Sequence, residues 1–251
     1  TACGNERILS TVPKETGEFY SSNKLSSAGS GSSTENLKLQ ADFETFCTDL
    51  FKKEMESSST LDLHYTLLHP ETYEIDTGDA ALGTYRLSEL MKNNHELHDL
   101  KDKLAEFDPN VLSMDQQVLY DALSEKVDSG LIAEGLELYE QPLAPTIGIQ
   151  AQLPILLAEY SFHSLQDVED YFTLLSQLDA YYGEILAFEV QKADAGLGPS
   201  DTSIDRIIES CQSYLIDPEN NFLTETFDMR LKSLAQKVSL TEQQKSDFCS
   251  R

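Results

Sequence analysis

An all-α fold is predicted for this 251-residue chain: an irregular bundle of about eight to ten helices behind a flexible tether. Three observations predict it. From Leu39 onward apolar residues recur at three- and four-residue spacing. The interruptions fall on proline, glycine or a hydroxyl or carboxylate cap. No segment longer than about five residues alternates as a half-buried strand does. Hydrophobic residues make up 40% and charged residues 25% of the chain, enough apolar surface for the body to fold.

The first helix is carried by Leu39, Phe43, Phe46, Cys47, Leu50, Phe51 and Met55, with Lys52 and Lys53 facing solvent. A shorter helical piece, Leu61 to Leu68, is stopped by Pro70, and Glu71 to Gly83 has the Gly and Asp content of a loop. Leu87, Leu90, Met91, Leu97, Leu104 and Phe107 make a long amphipathic helix ended by Asp108-Pro109. Ser113 with Gln116 three residues on is a capping box, and Val118, Leu119, Leu123 and Val127 form the stripe behind it. Gly130 is expected to interrupt this helix, and Leu131, Leu136, Leu138 and Tyr139 to resume it before Gln141-Pro142.

Residues Tyr139 to Phe172 read as a shaped connection, with proline-marked turns at Pro145 and Pro154, an apolar run and a capped helix start. Ser164 with Asp167 opens the next helix through Leu165, Val168, Phe172, Leu175 and Leu178. Gly183 lies within or between helical pieces, and the piece through Ile185, Phe188 and Glu189 should close at Gly196. Ser203 opens a helix with Ile204, Ile207, Ile208, Cys211 and Leu215, halted by Pro218. Phe222, Leu223, Phe227, Leu231, Leu234 and Val238 carry another, and Ser239 to Glu242 signal one more start. No repeat at a fixed period is evident.

The chain opens Thr1-Ala2-Cys3-Gly4, which resembles the end of a bacterial lipobox, where the cysteine is lipidated and becomes the first mature residue. Ser10 to Asn36 is rich in Ser, Gly, Thr and Glu. Residues 1–38 are therefore expected to be a lipobox remnant and flexible tether, and 39–251 a helical region. A lipid on Cys3 would be the membrane attachment, placing the protein outside the cytoplasm on the cell membrane. No apolar run approaches the roughly 18 residues a membrane span needs.

Lys and Arg total 18 against 44 Asp and Glu, a formal net charge of -26. Such a field repels phosphate backbones and argues against a nucleic-acid partner; it either keeps a secreted protein soluble or steers neutral or cationic substrates, which suit it better than acidic ones. The four cysteines include no CxxC pair; Cys47 and Cys211 fall on apolar stripes as small core residues. His95 and His98 are three apart, one short of the zinc-peptidase spacing, and His98 reads as a packed or partly buried histidine. His64 and His69 read as polar contacts near a helix end, and His163 as a partner for a helix start. No nucleophile elbow, phosphate loop or dinucleotide fingerprint is present. No catalytic residue and no metal ligand is assigned within the chain. Gln150, Gln152, Glu159 and Tyr160 flank the apolar run Leu153 to Leu157. They either line a cleft or bond the backbone exposed around Pro145 and Pro154.

Three blocks then coincide: DFETFCTDLFKKEMES, QPLAPTIGIQAQLPILLAEYSFHSLQDVEDYFTLL, and AFEVQKADAGLGPSDTSIDRIIESC followed by NNFLTETFDMRL. From Leu39 to Arg251 they resemble the amino-terminal half of the bacterial family called domain of unknown function 885. The resemblance implies a mostly helical, exported or lipid-anchored protein whose later half carries a His-Glu zinc helix similar to that of metallopeptidases. It implies zinc as a cofactor of the full-length protein only, the carboxy-terminal region of the same chain as a partner, and a peptide substrate. Gly148 to Tyr160 would lie near the cleft. A peptide- or protein-binding lipoprotein without enzymatic activity is the alternative.

Overall fold

In the computed structural model, residues 33–250 are described; Cys3 and most of the expected tether lie outside them. The described residues form nine α-helices and no strand. They are α1 (Ser33–Ser57), α2 (Thr60–Thr66), α3 (Leu87–Leu104), α4 (Met114–Ile132), α5 (Ile149–Glu159), α6 (Leu165–Asp194), α7 (Asp201–Tyr214), α8 (Phe222–Leu234) and α9 (Glu242–Ser250). Single 3-10 turns occupy Pro70–Tyr73, Pro109–Val111, Glu137–Tyr139 and Pro218–Asn220. Helix α1 starts upstream of Leu39, at Ser33.

Two apolar clusters hold these helices. Phe43 of α1, Leu104 of α3, Leu112 just before α4 and Val127 of α4 form one, with Phe107 edge-on to Phe43 at 5.1 Å. The larger one joins α2, α5, α6, α8 and α9 through Leu61, Leu153, Leu157, Tyr160, Tyr171, Leu174, Phe227, Leu231, Leu234 and Phe248. Helix α6 is the spine: 30 residues, about 45 Å at the usual rise. Gly183 lies inside it. Gly196, at φ +74°, closes it as expected, and the Leu197 N–H donates back to the Lys192 carbonyl at 2.9 Å.

Local signals were followed closely. Both capping boxes form, Ser113 with Gln116 on α4 and Ser164 with Asp167 on α6. Departures from the sequence reading have identifiable causes. Gly130 does not interrupt α4, which runs on to Ile132. A Cβ there would stand 2.6 Å from Leu97 Cδ1, so the glycine serves close packing against α3. The expected helix through Leu136 to Tyr139 is replaced by a turn at Gly135, φ +83°, and the short 3-10 turn. Pro154, read as a turn marker, sits inside α5. Its ring forfeits one backbone hydrogen bond, which costs about 3 kcal/mol in an isolated helix; burial of Leu153 and Leu157 beside it offsets that loss. His98 is exposed rather than packed. The buried face of α3 passes through Asn94, Leu97 and Leu104, while Met91, His95 and His98 point outward, so Met91 misleads the register. His98 Nε2 pairs with Glu134 at 2.9 Å instead.

Candidate functional site

Side chains of α6 pull the extended segment before α3 onto the spine. Gln177 donates to the Ala80 carbonyl at 2.8 Å and accepts from the Leu82 N–H at 3.0 Å. Two turns further along, Glu184 accepts from Thr84 Oγ1 at 2.6 Å, the Tyr85 N–H at 2.8 Å and Arg86 Nε at 2.7 Å. Burial pushes the Glu184 carboxyl up, but those three donors and the Arg86 charge outweigh it and hold the group below the ordinary glutamate range.

This stapling leaves an open groove of about 640 Å³ between the start of α3 and the middle of α6. Behind it Phe188 is fully buried, with the Tyr85 ring edge-on at 5.2 Å. Met91, Ala187 and Gln191 are exposed along its sides. Beside Gly183 no atom lies within 4 Å of the position a Cβ would take, so the spine is bare there. Next to Phe188, the nearly inaccessible Lys192 donates to the Glu140 carbonyl at 2.6 Å, pairs with Glu189 at 3.3 Å and sits 5.8 Å from the Phe188 ring centroid. Burial, with the negative fields of Glu140 and Glu189, pushes the Tyr85 phenol up to about 12, so it stays a neutral donor.

The four residues chosen from the sequence lie elsewhere, and none lines this groove. Gln150 is 2% exposed, its amide donating to the Ala144 carbonyl at 2.5 Å, so it braces the turn before α5. Gln152 and Glu159 are exposed, whereas Tyr160 is core. The structure therefore does not gather the four on one surface.

Tyr160 belongs to a second polar cluster, at the carboxyl end of α5. His64 stacks on it at 3.9 Å and 21°, and the His163 ring lies 5.8 Å from His64. Burial lowers the His64 pKa, with Asp167 and Asp170 opposing the shift. Tyr65 Oη donates to the Leu156 carbonyl at 2.7 Å. Arg230, its guanidinium 4.7 Å from the centre of the Phe162 ring and 4.5 Å from that of Tyr171, donates to the Leu157 and Tyr160 carbonyls at 2.9 and 2.8 Å. These side chains satisfy carbonyls that any helix end leaves unpaired, a structural task.

Cys47 and Cys211 are half-buried free thiols whose pKa values burial raises. Among the described residues, no three His, Cys, Asp or Glu side chains are grouped so as to hold a metal ion, and no helix is long and apolar enough to cross a membrane. No family model matches the chain, and neither a curated protein nor a solved structure is detectably similar to it.

Proposed function

We propose that this chain is the non-catalytic helical amino-terminal part of an exported bacterial lipoprotein, similar to the domain of unknown function 885 family. In this reading it forms one wall of a peptide cleft whose zinc-peptidase centre is supplied by polypeptide after Arg251, and a lipid on Cys3 holds it at the membrane. The groove between α3 and α6 is the observation that supports a peptide wall: Met91 and Ala187 as exposed apolar surface, Gln191 and Tyr85 as amide-compatible polar groups, and a bare backbone at Gly183. The family and zinc elements of the proposal rest on the three sequence blocks alone. The net charge of -26 fits an exported partner of peptides better than one of nucleic acid.

The same groove would equally serve a surface-anchored peptide- or protein-binding scaffold without enzymatic activity, and this second reading is favoured by the exposed apolar side chains of Leu186 and Val190 one turn apart on α6. Zinc analysis and peptide hydrolysis, run on the 251-residue chain and on the polypeptide extended past Arg251, separate the possibilities. The leading proposal requires zinc and turnover only in the extended polypeptide. Stoichiometric metal and turnover by the 251-residue chain alone would overturn it, and an extended polypeptide that binds peptides with neither metal nor turnover would favour the scaffold.

A further inference from the structure

Helix α6 carries a long exposed face without charge. Between Asp179 and Asp194 its exposed positions begin at Ala180 and end at Ala193, about 20 Å along the axis, and the one polar side chain among them is Gln191. The three charged residues within that span are held in ion pairs, Glu184 with Arg86 and Glu189 with the buried Lys192. In a chain with 44 acidic residues and a net charge of -26, an uncharged exposed face of about four turns departs from the composition around it. Part of this face is the α6 side of the groove, with Met91 opposite on α3. Leu186 and Val190, 65% and 52% exposed, extend the apolar surface beyond it. Glycine weakens a helix interior. At Gly130 the packing of Leu97 accounts for the residue, but the space beside Gly183 is open and no contact among the described residues accounts for it. A partner lying close along the spine would use that space.

Hydrogen bonding sets the form of the partner. An extended peptide carries an N–H and a C=O on nearly every residue, and laid here it would exchange water for a face whose own backbone is bonded within the helix. The Gln191 amide, the Tyr85 phenol and the Ser88 hydroxyl could answer only a few of those groups, and the described residues include no strand edge for the rest. A helix arrives with its backbone bonds already made. A second copy of this chain would bring another charge of -26 against the first, which disfavours self-pairing. We propose that the groove and the α6 face beside it receive an amphipathic helix of a separate polypeptide, about four turns long, whose uncharged apolar stripe lies over Gly183 between Met91 and Val190. This inference rests on the reading above that the groove receives a polypeptide, and it adds the form of that ligand.

The test uses the 251-residue chain and three labelled, blocked sixteen-residue peptides of leucine, alanine and glutamine. The first repeats leucine at three- and four-residue spacing. The second is identical except for two central prolines, and the third has the composition of the first with its leucines scattered around the helix. By fluorescence anisotropy the first should bind at least tenfold more tightly than the others, and its affinity should change less than twofold between low and physiological salt. Gly183→Leu, at an exposed helical position, should weaken it at least tenfold with circular dichroism unchanged, and Val190→Glu, also exposed, should do the same if the first variant disturbs folding. Equal binding of the striped and proline peptides, still abolished by the variants, would overturn the helical form and leave the peptide wall standing. Affinity that falls steeply with salt would overturn the uncharged contact. Sedimentation of the chain alone as a dimer that Val190→Glu disperses would assign the face to a second copy and overturn the proposal. Binding that neither variant alters, or no binding by any of the peptides, would overturn both this inference and the peptide wall.

Discussion

Replacing Glu184 by alanine should destabilise the protein by about 2–3 kcal/mol and loosen the segment that walls the groove. The magnitude follows from the three partners. The Tyr85 N–H is partly buried and loses its acceptor, worth about 1.5 kcal/mol as an unsatisfied donor. Thr84 is exposed and Arg86 retains 64% side-chain exposure, so both can turn to water, and each contributes only about 0.5 kcal/mol. For a chain of this length the sum corresponds to a melting shift of about 5–10 °C. Glu184→Gln should cost less, about 1 kcal/mol, because an amide oxygen can still accept from Thr84 and Tyr85 while its NH2 faces the Arg86 donors. The carboxyl is held below the ordinary glutamate value of 4.5 in the fold, so its contribution is fully present above that value and is lost as pH falls through the folded pKa. The alanine deficit should therefore shrink in acid. Urea unfolding across pH, with hydrogen exchange at the Tyr85 amide, provides the assay. A variant within about 0.5 kcal/mol of the parent at pH 7, with Tyr85 protection unchanged, would refute the reasoning.

Further outcomes are expected elsewhere. Gly148→Ala should cost about 2–4 kcal/mol in urea unfolding although its φ of -70° suits alanine, because a Cβ there would lie 2.1 Å from Gln150 Oε1 and 2.2 Å from the Ala144 nitrogen. A neutral or stabilising effect would mean that the turn before α5 is looser than described. Because burial lowers the His64 pKa, its neutral form is favoured in the fold; the stability this gives is present above the ordinary value of 6.5 and is lost as pH falls through the window below it. His64→Phe, which keeps a ring on Tyr160, should flatten that part of the stability curve relative to the parent, and parallel curves would contradict the assignment. Arg230→Met should lower stability by about 2–3 kcal/mol through the exposed carbonyl ends of α5, with loss of amide protection concentrated in α5 and α8. Uniform loss across all helices would argue against a local capping role.

The helical class and most element positions were legible because their causes are local. Ser113-Gln116 and Ser164-Asp167 each close a capping box within four residues, and Gly196 closes α6 through its own left-handed turn. Where the cause is a distant residue, the sequence misleads. Gly130 looks like a helix breaker until Leu97 of α3 is seen to need its space, and Pro154 looks like a turn until the buried faces of Leu153 and Leu157 are placed on either side of it. His98 follows the apolar Met91 in sequence, yet the α3–α4 contact selects the other face.

The groove was not legible at all. It exists because Glu184 reaches segments 98 to 100 residues earlier in the chain, and neither Thr84-Tyr85-Arg86 nor Gly183-Glu184 carries a motif that announces the meeting. Polarity near an apolar run instead drew attention to Gln150 and Tyr160, whose side chains turn inward to brace a turn and fill the core.

The decisive measurement is a two-dimensional amide NMR titration of the chain with a blocked Gly-Phe-Gly peptide. Saturable shifts should centre on Gly183, Ala187 and Gln191 of α6 and on Tyr85 to Ser88, leaving the α5 surface at Gln152 and Glu159 unmoved. Shifts confined to α5, or none at saturating peptide, would contradict the placement of the binding surface between α3 and α6.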